Sequence, residues 1–203
     1  MVNESAMTAD RRRLEPDARR AQLVEAGLAL LKAGPFEEVG PAEVAKAVGV
    51  SKALVFHYFA SNRHLQVAIA QAAAQELVAE LATDPRLPND ERLAIGLERF
   101  IDYIERQPDT YVAVARGAGA NQQLLEVYEE CRREIVQLIA EAVGQPDPSP
   151  MLRIGLRGWI AGVEEAALQW LDGKPIPRSD LVDLLRRAGL SMLEALPQRD
   201  QYP

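Results

Sequence analysis

Residues 39–65 carry two short helical patterns with only Gly49-Val50-Ser51 between them, so one helix must cross the other through a single tight turn. Pro41 suits the first helical turn, because its missing N–H would be unpaired there and its φ is already helical. Gly40 before it is a permissive N-cap that offers no side-chain oxygen. Val44, Ala45 and Val48 recur at helical spacing as a buried stripe, and Gly49 falls where the helix must end in a left-handed residue. Val50 plugs the corner. Ser51 is placed to cap a second helix over roughly residues 52–59, with Val55 and Phe59 turned inward. Lys52, Ala53, Leu54, His57 and Tyr58 then fall outward or at the edge. This is the minimal device for laying a helix into the major groove of DNA.

Charge is distributed to match. The chain of 203 residues carries a net charge of −7, which argues against a nonspecific nucleic-acid binder. Residues 1–65 nevertheless sum to +1, whereas the remainder sums to −8. A local field therefore lets the N-terminal part approach phosphate while the acidic body stays away. The expected layout is a basic arm over 1–15, a helix-turn-helix domain over 16–65 and a larger helical domain over 66–203. One cysteine, Cys131, excludes an internal disulfide framework and suits a reducing cytoplasm. No apolar run reaches membrane-spanning length, and the N-terminus lacks an apolar signal segment, so no membrane partner is expected.

After Leu65 the pattern is helical throughout, and the fold class expected is all-α. Helices are predicted over 62–81, 90–106, 111–116, from about 120 onward, over 151–171, and over 180–196 behind Ser179 as cap. Leu124, Tyr128, Cys131, Ile135 and Leu138 share one stripe. In the 151–171 segment Gly155, Gly158, Gly162 and Ala166 line a nearly smooth face. A helical glycine costs about 1 kcal/mol relative to alanine, so several together call for a compensating close approach of another helix. Leu181, Leu184, Leu185, Ala188 and Met192 form a further apolar stripe. Together these two helices are the expected dimer interface, unless both faces pack only within one subunit. Phe100, Tyr103, Tyr111, Arg116, Tyr128, Cys131, Trp159 and Glu164 are candidates for a small-molecule site, since apolar walls with a few polar tips are what such a site needs. Glu164 lies among apolar neighbours on its helix, and a buried carboxylate must be paired or functional.

Catalysis finds no support. Both histidines, His57 and His64, lie in the helix-turn-helix segment, so the body offers no histidine base, and neither a metal site nor a cofactor is expected. Cys131 sits on an apolar stripe without a histidine nearby and reads as an inert core thiol. No nucleotide-binding or nucleophile-elbow fingerprint occurs.

The stretch from about Pro16 to Leu65 resembles the N-terminal domain of TetR-family transcriptional repressors. The resemblance rests on Glu43-Val44-Ala45, on Gly49-Val50-Ser51 followed by Ala53, and on Tyr58-Phe59. In the preceding helix it rests on Ala26, Leu30 and Leu31 ahead of Gly34 and Phe36. The rest is similar to the family in length and helical pattern. The resemblance implies a homodimer that binds a palindromic operator in double-stranded DNA and is released when a small-molecule effector, of unknown identity, enters the C-terminal domain. Lys52 is then the candidate for a guanine edge and Ala53 or Leu54 for a thymine methyl, with His57 and Tyr58 on phosphates. The helix terminus at Pro41 and Ala42 would aim its dipole at another phosphate. Three positions depart from the family: Gly40 replaces a hydroxyl residue, Phe56 a tyrosine and Asn62 a lysine, and all three usually touch phosphate. Arg63 and the tail residues Arg11, Arg12 and Arg13 are the expected compensation. If they do not compensate, the alternative is a helix-turn-helix used mainly for protein contact.

Overall fold

Short helices hold only where their ends are satisfied, and the N-terminal third is built on such ends. The computed structural model describes residues 15–108, 111 and 122–196. Helix α1 (Pro16–Ala33) leads through a 3-10 turn (Phe36–Glu38) into α2 (Pro41–Val48) and α3 (Lys52–Tyr58). Gly49 ends α2 with φ of +72°, and the Val50 N–H reaches back to the Ala45 carbonyl at 2.9 Å. Ser51 caps α3, its hydroxyl accepting the Leu54 N–H at 3.2 Å. Phe59 closes α3 in an extended conformation, one residue earlier than the expected helix, so that its buried ring turns back under the motif.

Helix α4 (Asn62–Leu81) starts on a second serine cap, Ser61, whose hydroxyl accepts the His64 N–H at 3.2 Å. Its twenty residues make a rod of about 30 Å. The first half packs on α1 so closely that a Cβ on Gly27 would lie 2.3 Å from Ile69 Cδ1. Its second half packs against α5 (Asn89–Arg106) and α6 (Gln122–Ala142). Helices α7 (Pro150–Leu171) and α8 (Arg178–Ala195) complete the body. Among the described residues all regular structure is helical, and no helix is long and apolar enough to cross a membrane.

One apolar core joins α1 to α4 through Leu23, Leu31, Val44, Val55, Phe59, Leu65 and Ile69, and it takes in Leu124 and Val127 from α6. A second core, in the body, holds Ile101, Ile104, Val163, Trp170, Leu181 and Leu185. Helix α4 therefore belongs to the motif at one end and to the body at the other. Helix α8 begins earlier than its sequence suggests. Pro177 is its cap, while Ser179 lies inside the helix and its hydroxyl meets Asp180 Oδ1 at 3.2 Å. Arg178 anchors that first turn to α5, donating to the Glu98 carbonyl at 2.8 Å and to Asp102 Oδ1 at 2.7 Å. Of the helix expected over 111–116, only Tyr111 falls among the described residues.

Candidate nucleic-acid interface and internal cavity

Burying Val55 and Phe59 fixes which side of α3 meets solvent. Lys52, Ala53, His57 and Arg63 are exposed, as is Ala42 at the start of α2; Leu54 and Tyr58 are half-buried and the ring of Pro41 is buried. The His57 ring stands edge-on to Tyr58 with centroids 5.3 Å apart, which stiffens the end of the short helix. Phe56 is 42% exposed, and Lys52 Nζ lies 5.8 Å from its ring centroid. The face thus carries two side-by-side groups suited to base edges, a cation and an aromatic. Arg11, Arg12 and Arg13 lie outside the described residues, so the structure places no arm.

In the body, α4, α5, α6 and α7 do not close completely on one another. They leave an apolar cavity of about 310 Å³. Helix α4 contributes Ala70, Ala73, Ala74 and Leu77; α6 contributes Tyr128, Cys131, Ile135 and Leu138; α7 contributes Trp159, Ile160, Val163 and Glu164. Small residues on α4 are the reason for the void, since alanines cannot reach across the space that longer side chains would fill. The candidate residues Phe100, Tyr103, Tyr111, Tyr128, Cys131, Trp159 and Glu164 all line it, whereas Arg116 lies outside the described residues.

The polar groups gather at two ends. At one, Arg92 donates to Thr83 Oγ1 at 3.1 Å and to the Ala142 carbonyl at 3.2 Å, tying α5 to the end of α6. At the other, Glu164 is only 8% exposed and is fully paired. Arg132 Nε donates to its Oε1 at 3.2 Å, a second Arg132 nitrogen reaches Oε2, and the Tyr128 hydroxyl donates to Oε2 at 3.0 Å. The Arg132 guanidinium also lies 4.4 Å from the Tyr128 ring centroid. Sequence reasoning missed Arg132. The available signal was its position one turn after Tyr128, which puts both side chains on one face.

Burial dominates the titration of this wall. It pushes the Tyr103 phenol up to about 12 and the Cys131 thiol up to about 12, the latter aided by Glu134 and Glu164. Burial, followed by the Glu164 charge, raises Tyr111 and Tyr128 above the usual phenol range. Every one of these groups is neutral at physiological pH. Tyr111 packs edge-on against Phe100 with centroids 5.6 Å apart, and its buried hydroxyl has no hydrogen-bond partner among the described residues. An unpaired buried hydroxyl costs about 1–3 kcal/mol.

The apolar faces of α7 and α8 divide between inside and outside. Leu181 and Leu185 turn into the body core, and Met192 covers Gly155, where a Cβ would sit 2.9 Å from the methionine sulfur. These four pack within the subunit, because residues one turn apart on α8 share the face that meets α7. Ala166 is half-buried, while Gly158, Gly162 and Ala188 are exposed. Leu184 and Ile154 are 59% and 74% exposed, an apolar surface on the two helices expected to join subunits.

The whole-chain comparison agrees with this two-part architecture. A family described as "Bacterial regulatory proteins, tetR family" matches residues 23–69, and one described as "Tetracyclin repressor-like, C-terminal domain" matches residues 89–192, half of the chain. The chain belongs to the TetR family. It is a transcriptional regulator, and its family consists of regulators rather than enzymes. It is 27% identical over 180 residues to the transcriptional activator FasR of Mycolicibacterium smegmatis, covering 84% of this chain and 81% of that one. A TetR-family regulator from Streptomyces coelicolor shares its fold with a TM-score of 0.77 at 28% identity, over 89% of this chain and 82% of that one. FadR from Bacillus subtilis, solved in complex with stearoyl-CoA, shares the fold at a TM-score of 0.61 and 13% identity, over 87% of this chain and 99% of that one.

Proposed function

We propose that this regulator is a ligand-responsive repressor that binds a palindromic operator as a homodimer and leaves it when a small molecule fills the body cavity. One observation carries the reading: α4 is capped inside the helix-turn-helix at Ser61 and lines the cavity with Ala70, Ala73, Ala74 and Leu77. A ligand seated against those alanines displaces the rod that positions α3, and a sub-ångström shift at one end becomes a change in spacing between two reading heads. The exposed Leu184, Ile154, Gly158 and Gly162 supply the apolar surface for a second subunit, and two heads one helical turn apart read what a single short helix cannot. FadR, which shares this fold, is solved in complex with stearoyl-CoA, a ligand with a long apolar acyl chain. In this reading Lys52 reads a base edge, Ala53 or Leu54 a thymine methyl, and His57, Tyr58 and Arg63 hold phosphates, which the exposure of Lys52, Ala53, His57 and Arg63 supports. Arg11, Arg12 and Arg13 add minor-groove or phosphate contacts. The cytoplasm is the compartment proposed.

Filling the cavity by substitution tests the coupling. Gly96 on α5 lines it, and a Cβ there meets nothing within 4 Å. Gly96→Leu is expected to keep full helix content and to weaken binding to promoter DNA at least about tenfold, as a bound ligand would. A folded variant that binds promoter DNA unchanged contradicts the coupling. The name of FasR favours a second reading, activation from the same operator, and transcription from the regulator's own promoter in vitro separates the two.

A further inference from the structure

Helix α3 leaves one large apolar side chain on a face that is otherwise polar or small. Phe56 is 42% exposed, while every other large apolar side chain described between residues 15 and 65 is buried or half-buried. The helix turns Val55 inward, and Phe59 just after it, so Phe56 falls on the outer face with Lys52, Ala53 and His57. Phe56 and Lys52 stand one turn apart, which makes them neighbours on that face. The Lys52 Nζ lies 5.8 Å from the ring centroid, within cation–π reach, so the ring narrows the directions in which a flexible lysine can point. A phenyl ring carries no donor and cannot hold a phosphate. In the major groove the base edges offer it one apolar group, the 5-methyl of thymine. The separation of ammonium and ring is less than two base-pair steps of about 3.4 Å each, so the two side chains reach neighbouring base pairs.

We infer that Phe56 is a specificity residue of the DNA-binding face, packing its ring on a thymine 5-methyl and holding Lys52 toward a guanine in the adjoining base pair. The inference rests on the reading of α3 as the helix that enters the major groove. It adds a base step that the operator contains, a thymine beside a guanine, read by two side chains acting as one unit. Ala53 and Leu54 are the shorter candidates for the same methyl, and the test separates them from Phe56.

The test uses the full chain in anisotropy titrations on the DNA flanking its own gene, prepared in three forms. One is unmodified, one carries deoxyuridine for every thymidine and lacks the 5-methyls, and one carries 7-deazaguanine for every guanine and lacks the N7 acceptors. The wild-type protein is expected to bind each modified duplex about tenfold more weakly than the unmodified one. Phe56→Ala is expected to bind the unmodified duplex about tenfold more weakly and to lose less than about twofold more on the uracil duplex. Phe56→Leu keeps an apolar end without a ring. It is expected to retain the uracil penalty and to lose most of the 7-deazaguanine penalty, as Lys52→Ala does. No uracil penalty in the wild type, or a full one in Phe56→Ala, overturns the inference and leaves the reading of α3 intact. A full 7-deazaguanine penalty in Phe56→Leu overturns the hold of the ring on Lys52. The salt slope of Phe56→Ala is expected to match that of the wild type, and a flatter slope overturns the inference by showing that the ring had supported phosphate contacts. Wild-type binding that is equal on flanking DNA and scrambled duplex overturns the reading of α3 together with the inference.

Discussion

The helix-turn-helix and the body are both small-residue structures, but they use those residues in opposite ways. In the motif Gly27 and Gly49 allow contact: one lets α4 press against α1, the other turns the chain so that α3 can cross α2. In the body Ala70, Ala73 and Ala74 withhold contact and leave a cavity. The same rod thus runs from a tightly packed end to a loosely packed one. That contrast is what a transmitting element needs. The rigid end holds α3 in register, and the loose end can be moved by what enters.

The contrast can be broken from either side, and the largest effect lies in the body. Glu164→Leu takes from Arg132 the carboxylate that pairs with it directly, in a pair whose side chains are only 11% and 16% exposed, and leaves it only Glu129, 4.0 Å away and shared with Arg157. The expected cost is about 3 kcal/mol, read as a lower urea midpoint, and a loss below about 1 kcal/mol contradicts the pairing. Gly49→Ala forces a side chain into the left-handed region and is expected to cost about 1–2 kcal/mol, with promoter binding lost at temperatures where the body remains helical by circular dichroism. Ser51→Ala removes the α3 cap for about 1 kcal/mol and weakens DNA binding without touching the cavity. Lys52→Ala is expected to leave stability unchanged and to relax sequence preference more than His57→Ala does, compared in anisotropy titrations with matched and mutated operators.

The smallest effect is a slope. Burial raises the Cys131 thiol from 9.0 to about 12, so the folded state favours its neutral form. The stability this contributes is complete below pH 9 and is lost as pH rises toward 12, because the unfolded chain releases the proton first. Cys131→Ala is expected to flatten the fall in urea midpoint over that range. An unchanged slope would mean that Tyr103 and the other phenols account for it.

The difference between the two regions also explains how far the sequence could be read. In the motif every determinant lies within a few residues of its partner: Gly49 closes on Ala45, and Ser51 on Leu54. Residue type and spacing therefore specify the geometry directly. In the body the stripe Leu124, Tyr128, Cys131, Ile135, Leu138 was legible because helical period alone puts it on one face; its last four residues line the cavity, while Leu124 joins the core of the motif. The partner of Glu164 was not legible, since Arg132 is 32 residues away and meets it only through the way α6 packs on α7. The start of α8 went astray for a related reason. Ser179 has the better local capping chemistry, but Arg178 is held by α5, and the helix takes in two more residues, Arg178 and Ser179. Leu184 and Leu185 show the limit most simply. Adjacent in sequence and alike in type, they point to opposite sides, one 59% exposed and the other 6%, a choice made by the position of α7.

The most direct test of the account is fluorescence anisotropy of the purified protein on the DNA flanking its own gene, against a scrambled duplex, at two salt concentrations. Selective binding to the flanking DNA is expected, weakening with salt as phosphate contacts release counterions, while the preference over scrambled duplex persists. Weak binding, equal on both duplexes and present only at low salt, would contradict it. Gly40, Phe56 and Asn62 would then have removed the grip on DNA that Arg63 and the arm were expected to restore, and a helix-turn-helix used for protein contact would take its place.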